Sequence, residues 1–307
     1  MGVIRLGYVH IRVTDIEEAK RHYRDTVGFR IVQDEGKTVY LKGWDEWDHH
    51  SIVLHEGGIG VHKLGFKVAR ADDIDDMEAK CRTFGVTTER MSSGDNPETS
   101  DGLRITAPST HTIEVYHDMT LVGSEVGHLN PEVFPRTGLT GFAAPHIDHA
   151  LIGTNDGATV QRFFMDVFGF YCTERLIPDL DHPDTVLASW LSQGNRGHDI
   201  AIIQGDNWDG KLHHVAFQLQ EWSDILHAAQ IMSMDRVPID VGPTQHGITR
   251  GKTIYYFDPS GNRNEVFADG YTNQRDRPTN IWTADCLGPG IDYLTRTLSE
   301  TFTTIVT

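Results

Sequence analysis

Cysteine is scarce in this chain, with only Cys81, Cys172 and Cys286 among 307 residues and no Cys-x-x-Cys spacing. A disulfide framework and a thiolate zinc site are therefore not expected, because each needs paired cysteines. Long apolar runs are also missing, since no stretch approaches the roughly 18 residues of a membrane-spanning helix. The N-terminal sequence MGVIRLGYVH lacks the apolar segment of a secretory signal. These absences predict a cytoplasmic protein with no membrane partner.

Basic residues are in short supply as well. The chain has 27 Lys and Arg against 44 Asp and Glu, a net charge of −17 at pH 7, and no basic stripe. Surfaces that bind nucleic acid or anionic membranes concentrate positive charge. The composition therefore predicts no nucleic-acid partner.

What the chain does contain is an internal repeat that divides it near Gly141. Residues 8–29 match residues 149–170, and the sequence HKLGFKV from His62 matches HHVAFQL from His213. A self-match at fixed spacing is typical of duplicated structural units. The length of 307 residues is long for one domain and comfortable for two.

A β-hairpin with a glutamate on its second strand also occurs twice. In residues 253–267, TIYYFDPSGNRNEVF, Glu265 follows Pro259 by six positions; upstream, Glu114 follows Pro108 by six. The Asp-Pro-Ser-Gly sequence predicts a tight turn between two strands. A single copy would be interpreted as an edge strand with its glutamate in solvent. The repetition instead indicates that the glutamate position has a role.

The predicted fold class is α+β, built from four β-α-β-β-β modules. Two modules, at about 5–57 and 61–118, form a duplicated, non-catalytic N-terminal domain that ends with its linker at residue 140. A C-terminal catalytic domain spans residues 141–270 and a tail spans 271–307. Pairing of the sheets of two modules should curl each domain into a half-open mixed β-barrel around a central cavity.

Capping residues and glycines delimit the predicted helices. Asp15 begins the first helix and Gly28 ends it, as N-cap and C-terminal signals do. A Gly- and Pro-rich stretch over residues 121–145 is typical of an interdomain linker. The predicted helices are residues 15–27, 73–84, 159–168 and 221–234, with a final amphipathic helix in the tail from Gly290 to about Phe302.

The repeat singles out a candidate metal site in the second half. His149, His214 and Glu265 occupy equivalent positions of the modules, on three strands that should meet inside the barrel. Two neutral imidazoles and one carboxylate are ligands that a divalent metal such as Fe(II) takes on one face, with positions left open for other molecules. Each of the three has an alternative role as a buried, hydrogen-bonded residue.

The first half carries Tyr8, Lys63 and Glu114 at the same positions. Lys63 precedes Glu114 by 51 residues, as His214 precedes Glu265. An ammonium group has no lone pair to donate to a metal. The sequence therefore predicts one metal site for each chain. His213 is expected on the opposite face of its strand from His214, in a structural or outer-sphere role.

Four sequence segments resemble a known family. They are DHALI at Asp148, LHHVAF at Leu212, GPTQHG at Gly242 and YYFDPSGNRNEVF at Tyr255. Together, in this order, they resemble the extradiol ring-cleaving dioxygenases of the vicinal-oxygen-chelate superfamily, and within them the catechol 2,3-dioxygenases. The resemblance covers essentially the whole chain and implies the glyoxalase/bleomycin-resistance/dihydroxybiphenyl-dioxygenase fold. It also implies that His149, His214 and Glu265 are the metal ligands.

The resemblance implies roles for three further residues. His198 matches the acid-base histidine of the family, and His246 and Tyr255 match residues that hydrogen-bond the substrate oxygens. A histidine suits proton transfer because its pKa lies near about 6.5. The alternatives are a loop histidine for His198, a surface turn or phosphate-binding loop for His246, and a core aromatic for Tyr255. Trp190 and Phe302 are candidates for the cavity wall or the core.

The activity implied by the resemblance is Fe(II)-dependent extradiol (meta) cleavage of catechol and simple substituted catechols. Both atoms of O2 would enter the product, a 2-hydroxymuconic semialdehyde, and the family suggests a homotetramer. Manganese remains an alternative because the same ligands suit both ions. Two other functions are possible on this scaffold, a glyoxalase-like metal isomerase and a metal-free binding protein for small aromatic molecules.

Overall fold

A computed structural model describes residues 2–307, which form two sheets with the same strand order. The first sheet has eight strands in the order β2-β3-β4-β1-β5-β8-β7-β6. Its strands are β1 Val3–Val13, β2 Arg30–Asp34, β3 Thr38–Lys42, β4 Ile52–Glu56, β5 Gly60–Val68, β6 Thr88–Met91, β7 Gly102–Thr106 and β8 Thr112–Tyr116.

The second sheet has nine strands in the order β14-β15-β16-β13-β9-β12-β11-β10-β17. Without β17, and read from the opposite end, this is the first order with every strand number raised by eight. The duplication predicted from the sequence is therefore confirmed in the topology. Its strands are β9 His146–Thr154, β10 Tyr171–Ile177, β11 Ala188–Ser192, β12 Ile200–Gln204, β13 Leu212–Gln218, β14 Ile239–Gln245, β15 Gly251–Phe257, β16 Arg263–Asp269 and β17 Asn280–Thr283.

Each sheet curls into the half-open barrel that the modules predict. In the first sheet, β1 pairs parallel with β4 and antiparallel with β5. In the second, β9 pairs parallel with β12 and antiparallel with β13. Side chains alternate between the two faces of a strand, so β9 directs His149 and Leu151 toward the interior of its barrel while Ala150 and Ile152 join the hydrophobic core.

The four main helices lie close to their predicted bounds. Asp15 caps the first helix through a 2.9 Å hydrogen bond from the backbone N–H of Glu18, and a wide π-helical turn continues it to Thr26. Gly85 ends the second helix with a left-handed φ of 91°, which favours glycine. The helices are α1 Ile16–Arg21, the π turn His22–Thr26, α2 Asp72–Phe84, α3 Gly157–Asp166 and α4 Trp222–Met234.

One hydrophobic core joins the two halves of the chain. Phe66 of β5 packs edge-on against Phe168 and Phe170 of the second half, with ring centroids 5.4 and 5.8 Å apart. Tyr23, from the π turn, donates a hydrogen bond of 3.1 Å to Asp258 in the turn before β16. The strands that carry the candidate site are therefore supported by the first half.

The tail corrects one prediction. The long helix expected from Gly290 to about Phe302 is wrong, because the tail contains strand β17 and two short helices, α5 Leu287–Ile291 and α6 Glu300–Thr304. Asp292 ends α5, and its carboxylate accepts the backbone N–H of Thr295 at 3.0 Å. Aspartate and threonine compete with helical hydrogen bonds in this way and are poor helix-interior residues.

Within residues 2–307, none of the helices has the length and apolar character needed to cross a membrane.

Candidate metal centre and catalytic site

Three adjacent strands bring His149, His214 and Glu265 together. The Nε2 atoms of His149 and His214 lie 3.0 and 3.1 Å from Oε2 of Glu265, and 3.3 Å from each other. All three side chains are buried and line one cavity. The strand order β16-β13-β9 places the three side chains side by side although 116 residues separate His149 from Glu265.

The contact of His149 with Asp148 directs its Nε2 toward Glu265, where a ligand atom would lie. Nδ1 lies 2.6 Å from Oδ2 of Asp148, so the ring donates its Nδ1 proton to that carboxylate. Asp148 is held in turn by Arg196, whose Nη1 lies 2.7 Å from Oδ1. Carboxylates in this outer position fix the orientation of a ligating imidazole.

His214 is oriented by His213, and here the structure corrects a prediction. His213 does not lie on the opposite face, because a register shift between Leu212 and His214 brings the two rings within 5.0 Å. Nε2 of His213 donates to the Phe302 carbonyl at 2.8 Å, so its Nδ1 accepts from Nδ1 of His214 at 2.7 Å. That pattern assigns a free lone pair to Nε2 of His214, on the side of Glu265.

Burial and hydrogen bonding shift the pKa values of these groups. The pKa of His214 falls to about 4, chiefly because burial disfavours the charged imidazole. For His149 burial acts the same way, but hydrogen bonds to Asp148 and Glu265 outweigh it and raise the pKa to about 9. Burial would raise the pKa of Glu265, yet its contacts with three imidazoles hold it well below its ordinary value. Glu265 is therefore a carboxylate at neutral pH.

His246 and Tyr255 adjoin the same carboxylate. Nδ1 of His246 donates to the Ile291 carbonyl at 2.6 Å, which leaves Nε2 to accept the Tyr255 hydroxyl at 3.0 Å. Nε2 of His246 is also 3.3 Å from Oε1 of Glu265. Both predicted residues thus line the cavity beside the three candidate ligands.

His198 lies two residues before β12 and also faces this cavity. Its ring centroid is 3.9 Å from that of His149, and its side chain is buried. Burial lowers its pKa well below the ordinary value, so the imidazole is neutral and can accept a proton. The structure therefore brings all six predicted site residues to one cavity.

Apart from Thr249, the rest of the cavity wall is apolar. Trp190 and Phe302, two candidates from the sequence, both line it. The other wall residues had no sequence signal, because all except Thr249 are ordinary apolar residues, and they come from separate strands, a loop and the tail. No Lys or Arg in residues 2–307 lines this cavity. The further wall residues are Leu151, Leu176, Ala188, Ile203, Ile248, Thr249, Leu287 and Ile291.

The equivalent position in the first half is occupied by an ion-paired cluster. Nζ of Lys63 lies 3.0 Å from Oε2 of Glu114, and Arg104 donates two hydrogen bonds of 2.9 and 2.8 Å to Oε1. The Tyr8 hydroxyl and the Asn96 amide complete the cluster at 2.6 and 2.7 Å from Oε2. Fixed cations therefore satisfy this carboxylate.

The donor set of the second half fits a divalent metal. Two imidazole nitrogens and one carboxylate oxygen converge from one side, while the cavity opens on the other. Such a set suits Fe(II) or Mn(II) better than a structural zinc site, which is usually closed by four protein ligands. It also leaves room for a substrate that chelates the metal.

Comparison with known proteins agrees with this geometry. Residues 146–266 match the family model of the glyoxalase/bleomycin resistance protein/dioxygenase superfamily, and residues 62–120 match that of the catechol 2,3-dioxygenase-like N-terminal domain. A metapyrocatechase of Pseudomonas sp. (strain CF600) is 40% identical, over 100% of this chain and 99% of its own length.

Two further proteins, one compared by sequence and one by structure, are similar to this chain. A manganese-dependent 2,3-dihydroxybiphenyl 1,2-dioxygenase of Geobacillus genomosp. 3 is 26% identical, over 88% of this chain and 86% of its own length. The crystal structure of the 2,3-dioxygenase LapB from Pseudomonas sp. KL28 is 39% identical, with a TM-score of 0.88 over 93% of this chain and 99% of that one.

The fold and the matches together define a dioxygenase of the vicinal-oxygen-chelate type. More specifically, the chain belongs to the extradiol ring-cleaving dioxygenases, in the catechol 2,3-dioxygenase (metapyrocatechase) family. It is an enzyme that requires a catalytic metal and cleaves a catechol-type substrate with O2. Neither the isomerase nor the metal-free binding protein is favoured, since the relatives are ring-cleaving dioxygenases.

Proposed function

We propose that the protein binds Fe(II) through His149, His214 and Glu265 and converts catechol to 2-hydroxymuconic semialdehyde. The observation that carries the proposal is the convergence of two Nε2 atoms and Oε2 within 3.3 Å of one another at the wall of an apolar cavity. Mn(II) is the alternative ion, because a relative at 26% identity is named as manganese-dependent.

An Fe(II) ion bound there would act as a Lewis acid toward the two catechol oxygens and provide a path for electrons from the ring to O2. The protein side chains would handle the protons. His198, neutral and facing the cavity, would accept the proton of a catechol hydroxyl at Nδ1 or Nε2 and return it later in the reaction.

His246 and Tyr255 would orient the substrate oxygens. The hydrogen bond from Nδ1 of His246 to Ile291 fixes this ring, so that Nε2 and the Tyr255 hydroxyl face the cavity as a pair. Burial raises the pKa of Tyr255 well above its ordinary value, so the hydroxyl remains a hydrogen-bond donor. Groups held in place before binding lose little freedom when the reaction occurs.

The apolar wall favours uncharged, single-ring catechols. Leu176, Trp190 and Phe302 give the cavity an apolar wall, and no Lys or Arg among residues 2–307 lines it. Burying a substrate carboxylate without a cationic partner is unfavourable. The preferred substrates would therefore be catechol and catechols with small apolar substituents.

A homotetramer is part of the proposal. The segment 121–139, between the two sheets, exposes several large apolar side chains in the isolated chain. Large apolar side chains exposed along one segment are typical of contacts between subunits. The exposed residues are Leu121 at 61%, Leu129 at 80%, Val133 at 81% and Phe134 at 59%. A cytoplasmic location remains a prediction from the sequence.

An oxygen-uptake assay tests the substrate class. Iron-loaded enzyme should consume O2 and give a yellow product with catechol and 4-methylcatechol. With 3,4-dihydroxybenzoate, which differs by a carboxylate, kcat/KM should fall by about 10²-fold or more, since an unpaired buried charge opposes binding. Equal kcat/KM for the charged and uncharged catechols would contradict the substrate proposal.

A further inference from the structure

We propose that Glu174 is a positioning residue for the substrate cavity, because its buried carboxylate ties a loop of the cavity wall to a segment of the tail. One segment is the loop of residues 246–250, named here the cavity loop. The other is the tail segment of residues 271–283, which contains β17. The inference rests on the proposed catechol site, since the cavity loop lines the cavity that would hold the substrate.

The Glu174 carboxylate makes four hydrogen bonds within a buried site. Oε1 accepts from the Thr249 backbone N–H at 3.1 Å, the Tyr271 hydroxyl at 2.6 Å and the Asn280 amide at 3.1 Å. Oε2 accepts from the Trp282 indole N–H at 2.6 Å. A carboxylate offers about four acceptor positions and no donor, so it matches this set of four donors. None of these donors is charged.

The backbone at Thr249 is strained, and Glu174 helps to hold it there. Thr249 and Arg250 have φ values of 58° and 62°, in the left-handed region that a β-branched residue rarely adopts. The N–H of Thr249 is bound by Glu174, and its carbonyl accepts the N–H of Tyr271 at 3.1 Å. Strained conformations persist when surrounding contacts fix them, and they are found preferentially at functional sites.

The cavity loop forms part of the substrate cavity. It begins at His246, and Ile248 and Thr249 line the cavity wall beside it. The N–H of Ile248 donates to the Gly290 carbonyl at 3.0 Å, which ties the loop to the tail. A shift at Thr249 would therefore be transmitted directly to the surface that contacts the substrate ring.

Trp282 covers the same loop from outside. Its ring lies so close to Gly247 that a Cβ at that residue would be 2.8 Å from the indole. β17 pairs parallel with β10, with Asn280 opposite Glu174. The indole N–H bond to Glu174 fixes the ring in this place. One carboxylate thus joins the strand, the loop and the covering aromatic.

Removal of the carboxylate should affect substrate binding more than metal binding. Glu174 contacts none of the three candidate ligands, so Glu174→Ala should retain one metal ion for each chain. The KM for catechol should rise about tenfold or more, while kcat for each bound iron stays within about threefold, the pattern for lost uniform binding. Metal content, KM and kcat would be measured on the same preparation.

A control separates this role from general stability. Met232 is fully buried on the inner face of helix α4 and does not line the cavity. Met232→Ala should lower the melting temperature and leave KM unchanged. If Glu174→Ala lowers the melting temperature with KM unchanged, or if it loses the metal, the proposed positioning role is wrong.

A double-mutant cycle tests the contact itself and uses milder variants. In Glu174→Gln the side-chain amide oxygen can accept the three hydrogen bonds that Oε1 accepts in the wild type. The NH2 group then takes the place of Oε2 and faces the Trp282 N–H, so two donors oppose each other. Trp282→Phe removes that opposing donor. The double variant should therefore have a KM closer to wild type than the product of the single effects, as expected for residues in contact. Independent effects would overturn the proposal. If wild-type enzyme loaded with iron cleaves no catechol, the proposed function fails instead.

Discussion

Lys63 and Glu114 form a buried ion pair, 3.0 Å between Nζ and Oε2, at the position where His214 and Glu265 lie 3.1 Å apart in the second half. The two barrels therefore carry different groups at equivalent positions of their strands. In one, a fixed ammonium neutralises the carboxylate. In the other, an imidazole leaves a lone pair for a metal ion.

Substitution of the paired glutamates should distinguish these two arrangements. Glu265→Gln removes a charged ligand, and its metal affinity should fall by more than the about 10- to 100-fold expected for loss of an outer hydrogen-bond partner. Glu114→Gln should keep normal metal content, measured by elemental analysis. It should instead lower stability, because Lys63 and Arg104 lose their buried partner. Metal loss in Glu114→Gln with retention in Glu265→Gln would reverse the assignment.

Much of this site could be predicted from the sequence, because the internal repeat aligns each candidate ligand of the second half with a residue of the first half. Spacing alone aligned His214 with Lys63, and the hairpin repeat identified Glu265. The position of His213 could not be predicted, since a register shift in the β9–β13 pairing overrides simple alternation. A local irregularity of this kind adds a residue to one strand of a pair and interrupts the alternation on which the prediction relied.

The tail was the least predictable part of the fold. Its apolar spacing suggested one helix, but Asp292 accepts hydrogen bonds from the Thr295 N–H and from the distant Thr244 hydroxyl, and the chain turns there. The role of Glu174 had no sequence signal at all. Its four donors come from residues 249 to 282, and only the folded chain brings them together.

Replacement of His198 should affect turnover and spare the metal. His198→Phe leaves the three candidate ligands unchanged, so metal content should stay near normal and catechol should still bind. If the imidazole transfers a proton, kcat should fall by about 10²- to 10⁴-fold. 4-Nitrocatechol is the control, because it loses its second proton without help and should be less affected. A variant that lost its metal, or kept full activity with catechol, would show a different role.

A buried histidine in the first half should make the fold sensitive to acid. Burial, followed by the charges of His49 and Lys63, lowers the pKa of His50 to about 3. The unfolded chain takes up a proton on this imidazole near pH 6.5 and the folded chain does not. The contribution of this neutral imidazole to the free energy of unfolding is therefore fully present above about pH 6.5 and is lost progressively as the pH falls toward about 3.

His50→Leu should make that decline shallower. Between about pH 6 and pH 4, the free energies of unfolding of the variant and of the wild type should diverge by about 1.4 kcal/mol for each pH unit. That slope corresponds to the uptake of one proton on unfolding. Urea unfolding of metal-free protein at several pH values would measure it. His128→Leu, at an exposed loop position, is the matched control. Parallel pH profiles for His50→Leu and wild type would show that this imidazole does not contribute.

Reconstitution of metal-free enzyme tests the central claim most directly. Under anaerobic conditions the protein would be titrated with Fe(II), Mn(II) or Zn(II), and each sample would then be assayed for O2 uptake and yellow product with catechol. We expect activity to rise in proportion to Fe(II) and to saturate at one ion for each chain, with Zn(II) inactive because it cannot pass electrons to O2. Full activity with zinc, or iron-loaded enzyme that yields no ring-cleavage product, would contradict the assignment.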